Sequence, residues 1–196
     1  LAALRGASQV ISYELAMGLS LIALVMVTGT LQIGEIVKAQ QAGWWNIVYQ
    51  PLGFIIFFIC ALAECNRTPF DLPEAENELN FGYHQEYSSM KMGFYLFAEY
   101  ANMFISSTIL AIVFLGGYHF PGMDWVTDNW GVNMAALLGF LSLFAKLCFF
   151  IFFYMWVRWT IPRFRYDQLM HLGWKILLPL AVINIIVTGI VMVVFK

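Results

Sequence analysis

Residues 15–34 read LAMGLSLIALVMVTGTLQIG, twenty positions without a charged side chain. A helix crossing ~30 Å of hydrocarbon needs about 20 apolar residues, so this stretch places the chain in a bilayer. It overlaps a segment covering roughly residues 10–33. Four more such segments follow, at 45–63, 92–115, 134–156 and 174–195, with Glu99 interrupting the segment at 92–115 and Lys146 the one at 134–156. Lipid cannot satisfy an open strand edge, and the alternating polarity of a membrane barrel is absent. The expected fold class is therefore all-α: a polytopic membrane protein with five transmembrane helices in a single membrane domain over residues 1–196.

Composition agrees. Of 196 residues 61% are hydrophobic and 11% charged, against about 25% charged in a soluble domain. The net charge of −2 is too small to point to a nucleic-acid partner. Cys60, Cys65 and Cys148 show no CxxC spacing, so neither a disulfide framework nor a metal site is expected. The chain opens at Leu1 without a methionine or a signal-peptide pattern, and is expected to be part of a longer protein.

Basic residues orient the segments. With five crossings, Arg5, Arg67, Lys91, Arg158, Arg163, Arg165 and Lys175 share one side, leaving Lys38 and Lys196 on the other. Excess Lys and Arg marks the cytoplasmic side, or the matrix side in a mitochondrial inner membrane, which puts the N-terminus there and the C-terminus outside. Trp44, Trp45, Trp125, Trp130, Trp156, Trp159 and Trp174 all fall at segment ends or in adjoining loops, where such rings favour the headgroup region. On the outer side, residues 33–41 suggest a short surface helix. Residues 116–130 contain Pro121-Gly122, a turn signal, and suggest a loop or hairpin.

The cytoplasmic loop at 64–91, ECNRTPFDLPEAENELNFGYHQEYSSMK, holds six of the twelve acidic residues: Glu64, Asp71, Glu74, Glu76, Glu78 and Glu86. Only Arg67 and Lys91 oppose them. Asp71 can cap a short helix with Pro73 in its first turn. Glu74, Glu76 and Glu78 would lie near its positive end, and Gly82 would close it. Glu74 and Glu78, four apart, repel each other, an arrangement that stability alone would not select. A solvated acidic face is the plain reading. A metal site with His84 lacks a recognisable ligand pattern and is not expected. A second cytoplasmic loop, residues 157–174, is basic.

Charged side chains cost about 2.5–3.5 kcal/mol at the bilayer centre on insertion scales, so Glu14, Glu99 and Lys146 need a reason. Tyr95, Glu99, Asn102 and Ser106 recur on one helical face. Ser142 and Lys146 are four apart, as are Asn184 and Thr188. These stripes suggest a hydrated seam. Lys146 either pairs with a glutamate and holds the bundle together, or belongs with Glu14 and Glu99 to a proton path.

Three strings carry a resemblance. AECNRTPFDLPEAENELNFGYHQEYSSMKMGFYLFAEY (63–100), RWTIPRFRYDQLMHLGWKILLPL (158–180) and LRGASQVISYELAMGLSL (4–21) are together similar to the subunit 1 family of respiratory complex I, the proton-pumping NADH:quinone oxidoreductase. The resemblance covers essentially the whole chain. It implies that these five helices correspond to the last five of eight, and it is closer to bacterial members, implying a plasma-membrane location. It implies a role beside the chamber where ubiquinone or menaquinone is reduced, with electrons from a neighbouring subunit's iron–sulfur cluster and no bound metal or flavin in this chain. Implied partners are the peripheral-arm quinone-site subunits and the adjacent membrane-arm subunits. Arg67, Asp71, Glu74, Glu76, Glu78, Glu86, Arg158, Arg163 and Arg165 match the chamber and its coupling loop. Glu14, Glu64, Glu99 and Lys146 match the proton path. Rival readings are the homologous subunit of a membrane-bound hydrogenase-type complex, a stand-alone ion transporter and a passive anchor.

Overall fold

The computed structural model describes residues 2–71 and 86–194. Every regular element among them is helical. Helix α1 spans Ala2–Thr28, α2 Ile33–Ala42, α3 Asn46–Tyr49 and α4 Pro51–Glu64. Helix α5 spans Ser89–Phe114, α6 Met123–Trp130 and α7 Val132–Thr160. Helix α8, Tyr166–His171, runs through a widened π turn at Leu172–Leu177 into α9, Leu178–Val194. Four stretches are long and apolar enough to cross a membrane: Ala2–Thr28, Ser89–Phe114, Val132–Thr160 and Tyr166–Val194.

The first segment starts earlier and stops earlier than its apolar run. Gly29 takes φ +73, the left-handed conformation that ends many helices, so the helix closes at Thr28. The surface helix expected at 33–41 is present as α2.

The segment at 45–63 is not one helix. Pro51 has no N–H, and its ring would collide with the carbonyl of Ile47. It also drives the preceding residue out of the helical region: Gln50 sits at φ −132, ψ 59. The result is the single turn α3, a break, and the 14-residue α4, only about 21 Å long at 1.5 Å per residue. Helix α9 covers the break. Gln50 Nε2 donates to Thr188 Oγ1 at 2.6 Å, and Asn184 Nδ2 donates to Gln50 Oε1 at 2.8 Å. The polar pair Asn184 and Thr188 thus packs inward, as its spacing suggested.

The stretch at 116–130 is a turn followed by helix α6, opened by Gly122 at φ +92, rather than a hairpin. The last segment begins at Tyr166 rather than Trp174. Pro179 cannot donate to Lys175 and crowds its carbonyl. The π turn just before it absorbs the misfit and lets the helix continue.

Helix α1 packs along α4 and α9, while α5 and α6 pack on α7. Between these groups lies an aromatic layer. Phe114 meets Phe54 at 5.4 Å and Phe57 at 5.8 Å, and Phe54 meets Phe150 at 6.1 Å. The opposite face of α7 exposes Phe140, Phe144, Phe152 and Trp156, an apolar surface suited to lipid.

Gly116 (φ +73) closes the end of α5, and a Cβ there would lie 3.1 Å from the Trp45 ring. Gly116→Ala should cost the left-handed penalty of about 1–2 kcal/mol plus displacement of Trp45. Gly122→Ala, with open space around it, should cost the backbone part alone. Unfolding midpoints in detergent should therefore fall further for Gly116→Ala; equal losses would refute the Trp45 contact.

Candidate functional site

The charged end of the bundle is assembled around the end of α4. Helix α4 finishes at Glu64, and residues 65–71 fold back over it. Gln9 of α1 pins this turn: its Nε2 donates to the carbonyls of Ala63 and Phe70, each at 3.0 Å. Tyr13, one helical turn on, donates to the Leu169 carbonyl at 3.1 Å and meets the Phe70 ring at 5.6 Å. The turn is thereby fixed between α1 and α8.

Arg67 projects from this turn to α5. Its guanidinium lies 2.5 Å from Glu99 Oε2 and 5.4 Å from the centre of the Tyr100 ring. Glu99 is 8% exposed, so the pair sits where water screens it weakly. Tyr95, Glu99 and Asn102 share a cavity of about 380 Å³ with Glu64, Cys65 and Asn66. Ser106, the fourth member of that stripe, lies 3.7 Å from Cys65 Sγ. The polar face of α5 therefore does line a seam, and the end of α4 is its opposite wall. Burial pushes the Cys65 thiol up to about 11, so it stands in this wall as a neutral group.

Glu64 borders a second, narrower space on the other side of α4, which it shares with Glu14, Gln9, Tyr13 and Cys60. Glu14, Glu64 and Glu99 thus form a file across α1, α4 and α5. Glu14 is exposed on the surface of α1.

Lys146 is not part of this file. Its Nζ donates to the carbonyls of Leu115, Gly117 and His119 at 2.7, 2.8 and 2.6 Å, with the Trp45 ring 4.8 Å away. It meets the C-terminal end of α5, where the helix dipole favours a cation. The glutamate partner expected as one alternative is replaced by backbone.

The basic loop is docked on the root of the acidic one. Arg163 donates to the Asp71 carbonyl and lies 3.5 Å from its carboxylate, while the Phe164 N–H donates to the Pro69 carbonyl at 3.2 Å. Arg158, at the end of α7, lines a small space with Glu99, Tyr100 and Tyr154. Arg165 is exposed and 4.0 Å from the exposed Asp167, an arrangement worth little. Glu86 is exposed. Glu74, Glu76, Glu78 and His84 lie outside the described residues. An apolar cleft of about 390 Å³ opens at the same end between Phe70, Phe164, Leu169, Leu172 and Ile176. Among the described residues, no cluster of three His, Cys, Asp or Glu side chains could hold a metal ion.

Residues 1–189 match the family described as NADH dehydrogenase. The chain belongs to this family. It is 71% identical over 195 residues to the NADH-quinone oxidoreductase H subunit of Flavobacterium psychrophilum, covering 99% of this chain and 57% of that one. It is 65% identical over 187 residues to an NADH-quinone oxidoreductase H subunit of Cytophaga hutchinsonii, 95% of this chain and 54% of that one. Against the NADH-quinone oxidoreductase subunit 8 of Rhodothermus marinus the identity is 48% over 204 residues, all of this chain and 60% of that one. The chain spans little more than half the length of these relatives. The resemblance carried by the three sequence strings is thus shown over nearly the whole chain.

Gln9, Trp45, Gln50 and Cys65 hold places in the site and its scaffold that sequence reasoning does not assign. Gln9 and Gln50 had one available signal, a large amide in an apolar stretch. Trp45 and Cys65 had none that pointed to their contacts.

Proposed function

We propose that this chain belongs to the membrane arm of a proton-pumping NADH:quinone oxidoreductase. There it forms part of the quinone-reduction chamber and transmits each reduction to a file of carboxylates. The observation that carries this reading is the placement of Glu64, which borders two cavities and so joins Glu14 to the Arg67–Glu99 pair. The charged end faces the cytoplasm, where most Lys and Arg lie. The stretch at 45–64 then serves as the fifth crossing despite its break, and the C-terminus lies outside. The substrate is ubiquinone or menaquinone and the location a bacterial plasma membrane. The partners are the peripheral-arm quinone-site subunits and the adjacent membrane-arm subunits. Exposed Glu14 supports assembly over a stand-alone transporter, because a carboxylate on a bare membrane helix needs cover from protein or a wet cavity.

The residues suggest how the signal travels. Reducing quinone to quinol takes two electrons and two protons at the charged end. The change in local charge acts on the loop bearing Glu74, Glu76, Glu78 and Glu86, whose root is held by Arg163 at Asp71. Arg67 lies on that root. A shift of the root withdraws its guanidinium from Glu99 and its return restores the pair, which switches the charge balance at the head of the file. Two charges 4 Å apart at an effective dielectric of ~20 interact by about 4 kcal/mol. Moving one charge against 100 mV costs about 2.3 kcal/mol, so the pair commands enough energy for the task.

Glu99→Gln or Glu78→Gln in the intact complex should weaken proton pumping and quinone reduction together, with NADH oxidation by an artificial acceptor preserved. Vesicles in which both variants pump and reduce quinone at the parental rate would sink this reading.

A further inference from the structure

A file of carboxylates open to one side of a membrane poses a second problem, which is how the other side stays closed. Between the Glu64–Glu99 level and Lys146 the bundle is filled by aromatic rings. Along α7, Tyr154 stands level with Cys65 and Ser106, Phe150 follows one turn on, and Lys146 one turn beyond that. Eight residues separate Tyr154 from Lys146, about 12 Å at 1.5 Å per residue. Phe57, Phe114 and Phe150 are at most 3% exposed, and their ring contacts with one another and with Phe54 occupy this level. Beyond the rings stands the Lys146 ammonium. Its three donated hydrogen bonds go to backbone carbonyls and its remaining side faces the Trp45 ring. The three carbonyls are backbone groups, which do not rotate away as a side-chain partner can.

The carbonyls are placed for this purpose by an unusual turn. Gly116 and Gly117 both take positive φ, which turns the carbonyls after α5 inward onto one point. The neighbouring carbonyls of Ile112 and Val113 are taken by Gln40 at 3.2 Å each, and Asn46 adds a 2.9 Å bond to Val113. The end of α5 is therefore engaged by side chains of α2, α3 and α7, and the ammonium is held in place.

We propose that Lys146 and the phenylalanine layer beneath it are the seal of this subunit: an apolar plug backed by a fixed positive charge that stops protons in the carboxylate file from reaching the far face. Dewetted constrictions and fixed cations exclude protons in membrane pores by this physics. The inference rests on the proposed role of the Glu14–Glu64–Glu99 file. It implies that charge leaves this chain sideways, toward neighbouring subunits.

The test uses the intact complex in liposomes with a trapped pH-sensitive dye, an imposed pH gradient and no NADH. The parental complex should hold the gradient. Lys146→Gln keeps an amide that can bond two of the carbonyls but removes the charge. A unit charge about 8 Å away at an effective dielectric of ~20 holds back a second cation by more than tenfold, so the proton leak should rise by about that factor while chloride permeability stays unchanged. Should that variant not assemble, Ser142→Asp places a carboxylate one turn from Lys146, leaves the carbonyl cage intact, and should leak in the same way. A gradient held as in the parent overturns the seal, and so does a leak passing protons and chloride alike, which marks a hole. Glu99→Gln separates the two claims. It should pump less without leaking; normal pumping there counts against the proposed function, whereas a tight Lys146→Gln complex defeats only the seal.

Discussion

Arg67→Met is expected to be among the most damaging single substitutions in this chain, costing about 3–5 kcal/mol, the usual cost of breaking a buried ion pair from one side. The guanidinium lies 2.5 Å from a Glu99 side chain that is only 7% exposed. Removing it deprives a buried carboxylate of that cation. Losing the charge at both positions relieves the conflict. Arg67→Met combined with Glu99→Gln should therefore be more stable than Arg67→Met alone, although it should not pump. The measurement is the thermal midpoint of the assembled complex for the two single variants and the double. Additive losses would show that the pair is not coupled, and the proposed switching of Glu99 by Arg67 would fall with it.

Phe114→Ala should also cost about 3–5 kcal/mol, the range for deleting a buried aromatic side chain. Phe114 is 0% exposed and touches Phe54 and Phe57. Lipid tails are as apolar as the ring, so the loss here is one of packing rather than of transfer from water. A cavity inside the bundle has no atoms to replace the lost contacts. Phe144, 51% exposed on the outer face of α7, provides the control. Lipid can fill the space it vacates, and Phe144→Ala should cost under about 1 kcal/mol, within the range of ordinary surface changes. Resistance to unfolding in a graded detergent series would separate the two. Equal losses would mean that the aromatic layer is not a packed unit.

Much of this architecture was legible in the residues. Apolar length marks the long helices. The spacing of Tyr95, Glu99, Asn102 and Ser106 marks the face of α5 turned to the end of α4. The pairing of Asn184 with Thr188 marks the inward face of α9. Two prolines act on the backbone in ways that composition does not convey. A length rule counts Pro51 as one residue in an apolar run of nineteen, whereas the backbone treats it as a break. Pro179 announces a disturbance in the last helix, yet the sequence does not say whether the helix will stop or widen.

The partner of Lys146 illustrates a different limit. A lysine in an apolar helix directs attention to carboxylates, because side chains are what a sequence displays. Every residue carries a carbonyl, so the three that bind Lys146 have no compositional mark; a turn with two left-handed glycines makes them converge. Arg67 sits in a loop with six acidic residues, yet among the described residues it pairs with Glu99, on the next helix. By itself the sequence determined that the chain lives in lipid as helices, because burying an unpaired backbone or a bare charge there costs more than any local preference can return. Which carboxylate faces which cation was decided only by the tertiary structure, since at a few ångströms the energy depends on geometry that residue order does not contain.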